Sequence, residues 1–240
     1  MKFSTIITLA APVFGFSWIG IVNKGTNEVI CDSSSLSGVQ KRICRRNSEF
    51  EPALVSAAKA SVTSCQSVMD SKSAWKCAGV ERLPFVSSQL KHATAESAYL
   101  HGLTSGQLMT SLFKLCHSGI LAKECKIEEV TRFVTEFTNS NSLSRRRSPK
   151  SIGQVDAHNT KVGRIIAHAS QRSVCKCHGA SGSCSTKTCW QTAPLVEAVG
   201  QMAKQKYEKS IGIKIQHKDT PIPRVITNQL AKEDFLYIQN

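Results

Sequence analysis

Apolar residues recur at three- and four-residue steps along most of the chain, as they do when helices bury one face. After "SEFE", which sets Ser48 and Glu51 at capping-box spacing with Pro52 in the first turn, Leu54, Val55, Ala58, Val62 and Cys65 form such a stripe. Beyond Pro84, "VSSQLKHATAESAYLHGLTSGQLMTSLFKLC" predicts one or two helices, with a break near Gly102 or Gly106. In "KIEEVTRFVTEF", Ile127, Val130, Phe133, Val134 and Phe137 share one face, the pattern of ordinary core packing. Residues 139–155, rich in Ser, Asn and Arg with Pro149 and Gly153, read as a linker. Two more helices are expected, near 157–172 (Val162, Ile165, Ile166, Ala169) and near 193–209 (Leu195, Val199, Met202, Tyr207). The tail from 211 alternates apolar and polar residues in places and predicts strand and loop. The fold class is mainly α, with a small β insertion.

The opening "MKFSTIITLAAPVFGFSWIG" has one lysine, a short apolar run, and small residues at Gly15 and Ser17. That is the layout of a secretory signal peptide over residues 1–17, followed by one domain over 18–240. With secretion expected, ten cysteines, an even number, suit an oxidising compartment.

Lysine and arginine total 31 against 17 acidic residues, a formal charge of +14. Outside the cell such a charge favours anionic surfaces, above all sulfated glycans of the matrix, through salt-sensitive attraction. Nucleic acid is not expected, because the cations are dispersed and no platform of aromatic and basic residues appears. The densest run, "SRRRSPK" at 144–150, follows a polar stretch and reads as a solvated loop.

The chemistry concentrates in "CKCHGASGSC" at 175–184. Zinc would need spaced thiolate and imidazole ligands, and a Cys-x-Cys-His run crowds them, so no metal is expected. Catalysis is not expected either. Ser181 lacks the spacing of a nucleophile elbow, and no acid is placed to orient His178 as a base. A disulfide-stapled hairpin fits best. Nested bridges, Cys175 to Cys189 and Cys177 to Cys184, lie closer to one antiparallel register than crossed bridges do. They still require the 184–189 arm to absorb extra residues through a bulge or loose geometry. The tip is then His178, Gly179, Ala180, Ser181, Gly182 and Ser183, with Gly179 and Gly182 free to take positive φ and Ser181 at the apex.

These residues resemble Wnt growth factors. "CKCHGASGSCSTKTCW" at 175–190 is similar to the family signature almost throughout. "CDSSSLSGVQKRICRR" at 31–46, "SCQSVMDSKSAWKC" at 64–77, "LCHSGILAKEC" at 115–125 and "AHNTKVGR" at 157–164 resemble further family segments, so the likeness covers roughly residues 30 to 240. The resemblance implies a secreted, non-enzymatic signalling ligand of the extracellular space and matrix. No dissociable cofactor is implied. Instead Ser181 would carry a palmitoleoyl ester, added by the acyltransferase Porcupine, that gives the protein its membrane contact and enters the cysteine-rich domain of Frizzled receptors. It also implies the bridges Cys31–Cys44, Cys65–Cys77 and Cys116–Cys125 beside the two of the hairpin, which would use all ten cysteines.

Three departures stand out. The family's Cys-x-Cys after the third segment is Cys125-Lys126-Ile127 here, and its later Trp-Gly-Gly-Cys partner is missing too, which keeps the count even. No N-x-[ST] sequon occurs, so N-glycosylation is not expected. The likeness also stops short of the family's cysteine-rich C-terminal domain, which is therefore expected to be absent. Without the resemblance, the same residues would suit a cationic, disulfide-rich matrix-binding or defence protein that carries no receptor lipid.

Overall fold

The computed structural model describes residues 17–23, 29–69, 77, 80, 93–121, 125–140, 150–214 and 233–239. Six α-helices run in order among them: α1 (Gly38–Arg46), α2 (Glu51–Val68), α3 (Ala95–His117), α4 (Ile127–Asn139), α5 (Lys150–Ala169) and α6 (Val196–Glu208). Between α5 and α6 the chain forms an antiparallel hairpin, β1 (Arg172–Cys177) with β2 (Lys187–Thr192). A parallel pair, β3 (Ile211–Ile213) with β4 (Leu236–Ile238), closes the described chain. The expected mainly helical fold with a small β element is what the structure shows.

Helix α3 is the axis. It is buried on every side from Ser97 to Phe113, so its pattern is not that of an amphipathic surface helix. Thr94 caps it, accepting from Ser97 N–H at 3.2 Å. It packs against α2, α4, α5 and α6. The expected break at Gly102 or Gly106 does not occur. These glycines permit close approach instead: a Cβ on Gly163 of α5 would lie 2.0 Å from the Gly102 carbonyl oxygen, and one on Gly102 would lie 2.2 Å from the Phe235 ring. Glycine's entropic cost inside a helix is small beside the burial that this contact allows.

Several boundaries also move. Helix α5 begins at Lys150, inside the expected linker, because Ser151, Val155 and Asp156 turn into the core. Residues 141–149 of the expected linker, with Pro149 and most of the run at 144–150, lie outside the described residues. The capping box is not at Ser48 and Glu51. It lies at Ser37 and Gln40, whose side chains each accept the other's backbone N–H at the start of α1. Glu51 instead accepts from Ile30 N–H at 2.5 Å and Cys31 N–H at 3.3 Å, tying the N-terminal segment to α2. Ile127 and Leu195, expected in the core, are each 43% exposed.

The expected signal peptide falls on residues of which 1–16 lie outside the described part. The described segment Ser17–Asn23 contributes to the core. Trp18, Ile19 and Ile21 are buried, and the Trp18 ring meets Phe137 edge-on at 5.7 Å. No described helix is long and apolar enough to cross a membrane.

Candidate functional site

The hairpin owes its place to two anchors. Upstream, α5 is held by the "AHNTKVGR" stretch. Asn159 donates to Leu236 O and accepts from Leu236 N–H, both at 2.9 Å, reading the backbone of β4 as a neighbouring strand would. His158 Nε2 lies 2.9 Å from Asp234 O, Val162 is core, and Gly163 makes the contact with α3. Arg164 of the same stretch is half-buried, and loss of hydration pushes its guanidinium down to about 10. Downstream, Gln107 of α3 donates to Val196 O at 2.9 Å and to Ser64 Oγ at 3.0 Å, fixing the start of α6. The stem between these anchors is in water along both strands.

Cys175 pairs directly with Cys189 in the ladder and is bonded to it; Cys177 is bonded to Cys184. The ladder ends at Cys177 opposite Lys187, followed by His178 N–H donating to Thr186 O at 2.7 Å. Beyond that the register is lost, which is how the second bridge fits: the extra residues lie between Ser183 and Thr186 rather than in a bulge within β2. All ten cysteines are bonded, in the five pairs expected. The four of the hairpin are therefore disulfide sulfurs rather than thiolates.

The tip closes on itself through backbone bonds. Gly179 N–H donates to Ser183 O at 2.9 Å, Gly182 N–H to Gly179 O at 3.0 Å, and Ser183 N–H to Ala180 O at 3.1 Å. Ser181 and Gly182 are the central residues of the last of these turns, with φ of 57° and 77°. Two consecutive positive φ values define a type I′ turn. The sequence suggested positive φ at Gly179 and Gly182. Gly182 has it, while Gly179 sits at φ −67° and is needed for room. A Cβ there would come within 2.1 Å of Ser183 Oγ and 2.5 Å of Ser183 O.

The left-handed position falls to Ser181, the one non-glycine residue with positive φ among the described residues. A serine held there is strained by about 1 kcal/mol or more relative to glycine. Its side chain is exposed, and its hydroxyl has no hydrogen-bond partner among the described residues. Ser183 Oγ, by contrast, lies 3.1 Å from Ser185 Oγ. His178 and Ala180 are exposed beside the apex. The tip thus offers a single unengaged hydroxyl on a rigid, doubly stapled projection. The nested cysteine spacing pointed to Ser181 as the apex; no pattern in the sequence showed that its backbone would be left-handed.

The sequence pattern of the Wnt family matches residues 32–133 and 126–240. The chain belongs to the Wnt family. It is 30% identical to Protein Wnt-9a of Gallus gallus over 77% of this chain and 55% of that protein, and 30% identical to Protein Wnt-11b of Xenopus laevis over 85% and 64%. It thus spans a little over half to two thirds of the length of these Wnt relatives. Among solved structures, human WLS in complex with WNT8A matches with a TM-score of 0.58 and 22% identity, over 80% of this chain and 72% of that one. The Drosophila WntD N-terminal domain-linker matches with a TM-score of 0.57 and 18% identity, over 80% of this chain and 96% of that one. These likenesses show the fold of a Wnt N-terminal domain.

Proposed function

We propose that the protein is a secreted signalling ligand of the Wnt type, without catalytic activity, and that Ser181 is its site of fatty acylation. The observation that carries this reading is the strained, exposed, unpartnered serine at the end of a projection braced by two disulfides. Backbone strain at a position where glycine would fit better is kept where the side chain is needed.

The chemistry asks little of the acceptor. The Ser181 oxygen attacks the carbonyl of an acyl thioester, the new C–O bond forms as the C–S bond breaks, and the serine proton leaves with the thiol. The acyltransferase, Porcupine in this reading, supplies the base, so the tip needs only access and a fixed shape. The ester, a palmitoleoyl group, then enters the groove of a Frizzled cysteine-rich domain. Roughly ten buried methylenes at about 0.8 kcal/mol each would dominate the contact made by so small a tip. Sulfated glycans would hold the cationic body near the cell surface between encounters.

Binding to an isolated Frizzled cysteine-rich domain tests the reading. Ser181→Ala is expected to abolish measurable binding while leaving the helical circular dichroism and the five bridges unchanged. Ser183→Ala is expected to bind as the parent does. Full binding by Ser181→Ala would overturn the assignment.

A further inference from the structure

Alternation along the strands sorts the hairpin stem into two faces. One carries Ser173, Cys175 and Cys177 opposite Gln191, Cys189 and Lys187. The other carries Arg172, Val174 and Lys176 opposite Thr192, Trp190 and Thr188. Val174 and Trp190 are direct cross-strand partners, yet they remain 40% and 45% exposed, among the few large apolar side chains left in water. Arg172 and Lys176 stand on either side of Val174, both exposed and neither in an ion pair among the described residues. Lys187 adds a cation at the edge of the tip. No aspartate or glutamate occurs between Asp156 and Glu197, so the stem has no carboxylate to neutralise them.

An indole and an aliphatic side chain between two cations, on a surface otherwise of threonines, match the chemistry of a bilayer boundary. Tryptophan settles at headgroup depth, and lysine and arginine pair with anionic headgroups while their stems lie along apolar surface. A sulfated glycan would satisfy the cations and leave Val174 and Trp190 in water.

We propose that this face of the stem docks on an anionic lipid surface, with Val174 and Trp190 entering the headgroup layer and Arg172 and Lys176 meeting lipid phosphates or carboxylates. A single acyl chain gives only marginal, reversible membrane attachment, and stable attachment takes a second signal. The stem is that second signal. Its role beside the lipid rests on the reading of Ser181 above, but docking by the stem does not require the lipid and is measured without it.

The test uses the full chain carrying Ser181→Ala and vesicles of phosphatidylcholine, with and without phosphatidylserine. Sedimentation should show binding to the phosphatidylserine vesicles that falls with salt. Val174→Ser with Trp190→Ser should weaken it roughly tenfold, and Arg172→Gln with Lys176→Gln by a similar factor. Lys59→Gln with Lys114→Gln, which removes two exposed lysines on helices, should leave it unchanged. Brominated lipid should quench a tryptophan signal that is missing from Trp190→Phe, a variant that keeps an aromatic side chain in the ladder. Equal binding by the stem and helix variants would show attraction by overall charge alone and overturn the proposal. So would a stem-cation variant that loses heparin retention but keeps vesicle binding, which would assign the face to glycans. Because every protein in this test lacks the Ser181 hydroxyl, its failure would leave the acylation reading standing, and the reverse holds too.

Discussion

At the scale of single residues, the tip works because three small residues do different things. Gly179 supplies room, Gly182 supplies a left-handed backbone in open space, and Ser181 holds a left-handed backbone with its hydroxyl exposed. Ser181→Gly should therefore relieve strain: amide exchange at Ser183 is expected to slow or stay the same, while any ester is lost. Gly179→Ala should do the reverse. Its methyl would meet the Ser183 carbonyl as well as two hydroxyls, so the turn must open, and exchange at Gly182 and Ser183 should accelerate. Unchanged exchange in Gly179→Ala would contradict the packing described for the tip. From the sequence, the nested bridges and the apex serine could be read, because cysteine spacing in a hairpin constrains register. The assignment of positive φ to Gly179 failed because composition alone does not tell a glycine kept for conformation from one kept for space.

At the scale of elements, the hairpin's direction depends on the seating of α5. The expected break in α3, and the expected linker where it overlaps α5 at 150–155, failed for a common reason. Glycine, proline and serine weaken a helix locally, but here tertiary packing decides, since Gly102 and Gly163 let two backbones touch and Ser151 and Val155 find the core. Gly163→Ala has no flexible side chain to displace, only the Gly102 backbone, and should cost about 1–3 kcal/mol in urea unfolding. In a chain of this size each kcal/mol lowers Tm by roughly 2–4 °C. Asn159→Ala would leave a buried N–H and a buried C=O of Leu236 unpartnered, a loss of about 1–3 kcal/mol, with amide exchange rising first in residues 233–239. A neutral result for both would contradict the docking of α5 described here. The contribution of "AHNTKVGR" could be seen in the sequence only as a family likeness, because its partners lie 76 and 77 residues downstream and across a helix crossing.

At the scale of the molecule, charge and covalent staples set how the protein would behave as the secreted ligand proposed above. The formal charge of +14 and the acid-free stretch holding the hairpin should give heparin retention that falls steeply with salt, as screened contacts do. Retention insensitive to salt would point to a specific pocket instead. The fold class could be anticipated from the helical periodicity and the two hairpin bridges from register, whereas Cys31–Cys44, Cys65–Cys77 and Cys116–Cys125 could be anticipated only through the family likeness, because ten cysteines admit hundreds of pairings. The central claim concerns one oxygen atom, and peptide mass spectrometry of the secreted protein tests it most directly. Cleavage after Lys176 and Lys187, followed by reduction, releases the tip peptide "CHGASGSCSTK". The peptide should carry the mass of one palmitoleoyl group, with fragment ions placing it on Ser181, and the Ser181→Ala peptide should carry none. An unmodified wild-type peptide, or a group that fragments onto Ser183 or Ser185, would contradict the account.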